Sequence, residues 1–260
     1  MDLTVSNYKE ISKQKLSRKE KAELFGIPEW KLKKWVAANK VGRPIPTVRN
    51  KRAFKEHTRE ASYWAGFLAA DGCVDDKNRV RIYLQYSDHE HLQKFKDFVG
   101  SSHHLNLDKA RNRCSFEFTC KPMVEDLLKW NIVPRKSITY QPPVDLPNLP
   151  DFLRGLFDGD GTICESFSNK NSKLSTLYTG LACSYKCRDW FKEDVVDALG
   201  ITMKQYEKEN MVSITLNTNK SIVLLKYMYE DSTKAVRLDR KFALYHKTVV
   251  LGDRKTRILV

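Results

Sequence analysis

Two nine-residue stretches, Trp64-Ala65-Gly66-Phe67-Leu68-Ala69-Ala70-Asp71-Gly72 and Leu153-Arg154-Gly155-Leu156-Phe157-Asp158-Gly159-Asp160-Gly161, align without a gap. Gly66/Gly155, Asp71/Asp160 and Gly72/Gly161 each stand 89 positions apart. A repeat of this kind predicts a chain built from two similar halves. Each stretch reads as a helix ending in Asp-Gly. Gly66 and Ala70 are four apart on one helical face, as are Gly155 and Gly159, so both helices offer a groove almost free of side chains. Each glycine costs a helix about 1 kcal/mol relative to alanine, and close pairing of the two helices is the simplest reason to keep them.

If the helices pair about a pseudo-twofold axis, Asp71 and Asp160 arrive side by side. That arrangement is electrostatically poor. Each carboxylate sits at the negative pole of its own helix and faces another carboxylate, and a bound divalent cation reverses both terms. Paired acids on rigid helix ends in a basic protein point to Mg²⁺ bridging to phosphate oxygens.

On these residues the chain resembles the LAGLIDADG homing endonucleases, in the single-chain form with two copies of the motif, over roughly residues 58–245. The resemblance implies an α+β fold of two pseudo-symmetric αββαββα halves with saddle-shaped antiparallel sheets. It implies that Asp71 and Asp160 bind the metal, that Ala70 and Gly159 contribute backbone carbonyls, and that two or three Mg²⁺ or Mn²⁺ ions are shared between the motif acids. The first copy departs from the pattern, with Trp64 for the initial Leu and Ala69 where the second has Asp158.

The order of elements after each motif agrees. Arg79 to Tyr86 alternates strictly, so Val80, Ile82 and Leu84 face helices while Arg79, Arg81, Tyr83 and Gln85 face outward. Ser87-Asp88-His89-Glu90 then reads as the cap of a helix with Leu92, Phe95 and Phe98 on one stripe and Gly100 at its end. Arg111 to Phe118 is a second alternating strand, turning Arg111, Arg113, Ser115 and Glu117 outward, and Met123, Leu127 and Leu128 mark another helix. In the second half a helix near 187–199 ends at Gly200, a strand runs over Met211–Asn217 with Ser213, Thr215 and Asn217 outward, and a helix follows at 221–229. Sheet faces carrying arginines and hydrogen-bonding side chains suit a DNA major groove.

Each half closes with a basic turn, Ile132 to Ser137 and Arg237 to Lys241. By resemblance these bring one lysine per half beside the metal site, Lys136 and Lys241. Such a lysine stabilises charge on the pentavalent phosphorane or polarises the attacking water. Lys121 and Lys220, at comparable strand ends, are rival candidates. Pro142, Pro143, Pro147 and Pro150 stiffen a connector into the second motif helix.

The N-terminal segment is a different kind of sequence. Residues 1–60 hold 16 basic and 7 acidic side chains, while the remaining 200 hold 30 and 25. Ser17-Arg18-Lys19-Glu20 is a capping box, Gly26 is a natural helix stop, and Pro28 suits the start of the next helix. Ala22, Gly26, Ile27, Leu32 and Trp35 resemble the helix-turn-helix of bacterial and phage DNA-binding domains over about 25 residues. That resemblance presents Glu29, Trp30, Lys31, Lys33 and Lys34 to a major groove. The tract from Lys40 through Arg43, Arg49 and Arg52 reads as a basic linker that tracks phosphates, enters a minor groove or serves only as a tether. The expected organisation is therefore a helix-turn-helix at 1–39, a basic linker at 40–57, a first half at 58–140, a Pro-rich connector at 141–150 and a second half at 151–260.

Composition narrows the partner. The 260 residues carry a net charge of +14, and 41% are apolar, enough for a real core and suited to a polyanion. No apolar run approaches the roughly 20 residues of a membrane span, and Asp2 and Glu10 argue against a signal or transit peptide. The six cysteines are expected as reduced, mostly buried thiols rather than a zinc site. His89, His91, His103 and His104 lack a ββα-type His-Asn-His arrangement and are expected at the surface or on phosphates. Walker, dinucleotide and Ser-His-Asp signatures are absent from the sequence.

The reading that follows is a site-specific double-strand DNA endonuclease, acting as a monomer on a long asymmetric duplex. Family resemblance adds short 3′ overhangs and a mobile-intron origin. No splicing domain flanks the repeat, so a free-standing or intron-encoded enzyme is expected, in the cytoplasm at the nucleoid or phage-encoded, with an organelle left open. The alternative is a non-cleaving protein on the same fold, a DNA-binding regulator or an intron RNA maturase.

Overall fold

The structure is a computed structural model and describes residues 1–14, 16–39, 41, 47–167 and 175–253. Arg43 lies outside these residues, as do the other residues of 42–46 and Lys40, six of the eighteen expected as linker. The chain divides into two units, Met1–Thr47 and Val48–Val260.

The first unit is three short helices, α1 (Val5–Ser12), α2 (Arg18–Leu24) and α3 (Glu29–Ala38). Ser17 and Glu20 form the expected capping box, with Glu20 Oε2 accepting from the Ser17 amide at 2.6 Å and Ser17 Oγ from the Glu20 amide at 3.2 Å. Gly26 makes the turn with φ +65°, a conformation that favours glycine. Ala22, Phe25 and Leu32 are buried together with Ile11 of α1, so α1, which no motif announces, closes this small core.

The second unit begins with Val48, whose strand-like bridge to Ser101 brings in residues expected as linker. Phe54 is fully buried, and Trp130 Nε1 donates to its carbonyl at 3.0 Å. One large aromatic among basic residues is enough to fold that stretch onto the core. Helix α4 (Arg59–Ala70) is capped by Thr58 Oγ1, which accepts from the Ala61 amide at 3.1 Å. After it come strands β1 (Gly72–Val74) and β2 (Arg79–Leu84), helix α5 (His89–Phe98), strands β3 (Asn106–Asp108) and β4 (Arg113–Thr119), and helix α6 (Lys121–Leu127). The second half repeats the order: α7 (Leu149–Asp160), β5 (Gly161–Ser166), β6 (Thr176–Cys183), α8 (Tyr185–Trp190) running on as a π-helix to Asp197, β7 (Lys204–Lys208), β8 (Met211–Asn217) and α9 (Thr218–Tyr229). A last helix, α10 (Asp239–Tyr245), follows. Both sheets are antiparallel with the same order, β1-β2-β4-β3 and β5-β6-β8-β7.

The twin motif helices α4 and α7 pack backbone to backbone. A Cβ on Gly66 would lie 2.8 Å from the Leu156 amide nitrogen and closer still to the Phe152 carbonyl oxygen. On Gly155 it would lie 2.8 Å from the Tyr63 carbonyl carbon and 2.9 Å from the Phe67 amide nitrogen. Around this axis Tyr63, Trp64, Phe67, Phe152 and Phe157 are buried in one core shared by both halves.

Three expectations need correction. Arg111 is not on the sheet. Asn112 at φ +49° turns the chain before β4, and Arg111 sits in that turn with its amide donating to Asp108 Oδ1 at 3.0 Å. No capping box forms at Ser87, because Tyr86–Asp88 is a 3₁₀ turn in which Gln85 Nε2 donates to Asp88 Oδ2 at 3.2 Å. Leu128 lies past the end of α6 and is exposed.

Candidate functional site

The ends of α4 and α7 meet at small residues. A Cβ on Gly159 would collide with that of Ala70 and lie 3.5 Å from both Asp71 N and Asp71 Oδ2. Asp71 is therefore beside the residue that precedes Asp160, and the two acids stand at the same end of the helix pair. Asp71 is half-buried and Asp160 reaches solvent. Burial and then the Asp71 charge raise the Asp160 carboxyl to about 6, against the opposing effect of Lys136 and Lys241. Burial raises Asp71 as well, against Lys241, Lys136 and Arg240.

Both lysines implied by resemblance are brought here, with different commitments. Lys241, 3% exposed, donates from Nζ to the carbonyls of Phe157 (2.6 Å), Asp158 (2.8 Å), Gly159 (3.4 Å) and Gly161 (2.5 Å). Lys241 thus bridges the last turn of α7 to the first residue of β5, beside the Gly161 amide that also donates to the Phe157 carbonyl. Burial lowers Lys241 to about 8, opposed by Asp158 and the two motif acids. Lys136, 5% exposed, makes no side-chain hydrogen bond among the described residues. Burial lowers it, with Asp160 the first group opposing. Lys121 is exposed at the start of α6, and Lys220 donates to Thr202 Oγ1; neither belongs to the cluster.

A divalent cation fits the donor set. Neither motif carboxylate takes part in a hydrogen bond or ion pair among the described residues, so both keep oxygen donors of the kind a hard divalent cation takes. Gly159 keeps the approach free of a side chain. No cluster of three or more His, Cys, Asp or Glu exists among the described residues, so the side-chain donors that would hold an ion here are Asp71 and Asp160. The Gly159 carbonyl, expected as a further ligand, accepts from Lys241 Nζ.

Strands β1 and β5 begin directly after the acids, so the two open sheet faces flank this point. On the first, Arg79 and Arg81 are half-buried, Tyr83, Arg113 and Glu117 exposed, and Ser115 intermediate. Gln85 is exposed past the end of β2. On the second, Ser213 and Thr215 are intermediate and Asn217 is exposed. In the first unit Glu29, Trp30, Lys31, Lys33 and Lys34 all stand exposed on α3, Trp30 at 67%.

No protein-family model and no curated protein matches the sequence. Solved structures do match the fold. Meganuclease I-SmaMI bound to uncleavable DNA with a TTGT central four superposes with a TM-score of 0.53 at 12% identity, over 74% of this chain and 89% of that one. LAGLIDADG meganuclease I-CpaMI bound to uncleaved DNA gives 0.50 at 12%, over 73% and 90%. I-SmaMI on an uncleaved target in the presence of calcium ions gives 0.50 at 13%, over 74% and 90%. This chain has the LAGLIDADG meganuclease fold.

Within that fold the sequence reading missed a buried polar network behind the acids. Asp158, 1% exposed, accepts from Tyr63 Oη (2.8 Å), Tyr229 Oη (2.5 Å) and the Leu238 amide (2.7 Å). It thereby pins the segment that carries Lys241. The departure of Ala69 from Asp158 in the repeat was the available signal. His91, expected at the surface, is buried with Nε2 3.0 Å from Tyr63 Oη. Because the Tyr63 hydroxyl proton is given to Asp158, Nε2 of His91 must be the protonated nitrogen. At the other end of the helix pair, Asp151 accepts from Arg59 Nε (2.7 Å) and from buried Arg154 Nη2 (2.5 Å), tying the two N-termini together.

Proposed function

We propose that the chain is a site-specific double-strand DNA endonuclease with one composite cleavage site at the joined ends of α4 and α7. The observation that carries this reading is the pair Asp71 and Asp160, uncompensated by hydrogen bonds and set between two buried lysines where two open sheets begin. A divalent cation held by these carboxylates would supply Lewis acidity and an activated water. The chain's own groups do the rest. Lys136, whose ammonium is not tied to backbone, neutralises charge developing on the transferred phosphate. Lys241 holds the end of α7 so that Asp160 keeps its place. The sheets position the duplex, and α3 of the N-terminal unit adds basic contacts through Lys31, Lys33 and Lys34. One chain contains both acids, so a monomer is sufficient for cutting both strands. The DNA-bound meganucleases of the same fold support a duplex DNA substrate.

The test is incubation of the protein with a randomised duplex library and Mg²⁺, followed by sequencing of cleaved ends. We expect one enriched, asymmetric cut site, lost in Asp71→Asn and Asp160→Asn while DNA binding survives. Binding without any enriched cut would overturn the nuclease reading in favour of a regulator or an RNA-binding maturase.

A further inference from the structure

The two open sheet faces differ in chemistry more than the two motif helices do. In the first sheet Arg81 is flanked across the strands by Cys73 on β1 and Glu117 on β4, and Arg79 stands two residues away on the same face. One carboxylate organises both arginines. Asp75 Oδ2 accepts from Arg79 Nε at 3.0 Å and from Arg81 Nη2 at 3.4 Å. Its other oxygen is committed to the β1–β2 turn, accepting the Lys77 and Arg79 amides at 2.9 and 3.1 Å. Arg81 Nε is buried with no partner in the protein, and Glu117 forms no ion pair among the described residues, although it stands exposed beside Arg81. In the second sheet the inner strands β6 and β8 contain no charged residue at all, and the charges on that face are the lysines Lys204 and Lys208 of edge strand β7, opposite Thr215 and Met211. The register there sets Thr162 against Gly180 against Thr215, and Ala182 against Ser213.

We propose that the two halves read different base chemistry: Asp75 holds Arg79 and Arg81 for a guanine, Glu117 accepts from the paired cytosine, and the second sheet reads A·T pairs. The inference rests on the DNA-binding reading given above. A guanidinium fork matches the O6 and N7 acceptors of guanine, and a carboxylate accepts from the N4 amino group of cytosine. Arg81 and Glu117, adjacent in register, supply both partners for one G·C pair. Holding the fork against Asp75 before binding removes rotamer freedom that would otherwise be lost on contact. The second sheet offers hydroxyls that suit several bases, and at Gly180 and Ala182 it leaves room for a thymine methyl group. Asp75 touches no base in this account; it is a positioning residue.

The test is selection of bound duplexes from a randomised library by the full chain without divalent ions, for the wild type, Asp75→Asn and Arg81→Lys. Asparagine keeps an oxygen for the two turn amides and loses the anionic acceptor, so the turn survives while the arginines are released. Thermal melts of both variants check folding. We expect a consensus with a strong G·C pair in one half and A·T pairs in the other. In both variants guanine preference at that pair should fall about tenfold, with the A·T half unmoved. A consensus whose G·C positions ignore both substitutions, or move equally in both halves, overturns the inference alone. Failure to enrich any sequence overturns site-specific recognition and this inference with it.

Discussion

Gly155→Ala tests the backbone contact on which the site depends. The new Cβ would sit 2.8 Å from the Tyr63 carbonyl carbon and 2.9 Å from the Phe67 amide nitrogen, both main-chain atoms of α4. Helix backbone has no rotamer to change, so the two helices must part along their contact. Overpacking of ordinary side chains costs about 1–3 kcal/mol, and a rigid obstacle belongs at the upper end. The helix gains about 1 kcal/mol from replacing glycine, leaving a net loss of roughly 2 kcal/mol. For a unit of this size that lowers Tm by about 4–8 °C. The same parting shifts Asp160 against Asp71, and a displacement near 1 Å is worth about 100-fold in cleavage rate. Gly180→Ala is the matched control, because its Cβ would meet only the Ile214 carbonyl oxygen, at an ordinary 3.6 Å; its stability should change by no more than about 0.5 kcal/mol. Calorimetry on both variants and a cleavage time course of Gly155→Ala against the wild type decide. If Gly155→Ala melts with Gly180→Ala and cuts at the wild-type rate, the helices are not packed on bare backbone.

Three further outcomes follow from the same geometry. Lys241→Met should lower stability by about 1–3 kcal/mol, since the ammonium that bridges four carbonyls is lost, whereas Lys136→Met should leave Tm near the wild type and reduce cleavage; equal melting temperatures would remove the distinction between the two lysines. Lys31→Ala and Lys34→Ala should each weaken DNA binding and reduce the slope of affinity against salt by about 1, and an unchanged slope in both would take α3 out of the interface. His91 is held neutral by burial, with Lys94, Arg240 and Lys241 adding to that effect and Asp239 opposing it, which lowers its pKa to about 3. Below about pH 6.5 the unfolded chain therefore binds a proton that the folded one refuses, and stability falls as pH drops from there toward 3, by at most about 1.4 kcal/mol per pH unit. His91→Gln should flatten that part of a stability curve measured by urea unfolding; an identical slope would show that His91 is not the group responsible.

What was legible in the sequence was local or repeated. The spacing of Gly66 with Ala70 and of Gly155 with Gly159, and the acid that ends each stretch, lie within single helices, and their doubling exposed the fold. Strand β2 showed itself through six alternating residues. Strands β1 and β3 have three residues each and no room for a period, and every residue of β7 is exposed, so its pattern carries no inward face. Arg111 was misplaced because one left-handed asparagine shifts the start of β4 by two residues. His91 was not legible, and Asp158 showed only as a mismatch with Ala69, because their surroundings are assembled from Tyr63, Tyr229 and Leu238, tens of residues away in the chain.

The repeat also conceals an inequality between its copies. At the position of Asp158 the first copy has Ala69, and with that carboxylate goes everything it gathers: two tyrosine hydroxyls, the Leu238 amide and the Lys241 segment held over the end of α7. The first half has no counterpart among the described residues, and the Lys136 ammonium makes no hydrogen bond among them. Burial of that side chain lowers its pKa, and the first group opposing this is Asp160, on the other half. The second half thus builds a rigid helix end, while the first supplies a cation whose compensation depends on its neighbour's acid. Such a site is complete only when both copies are folded against each other, which explains why the glycine contacts between α4 and α7 are as strict as the acids themselves.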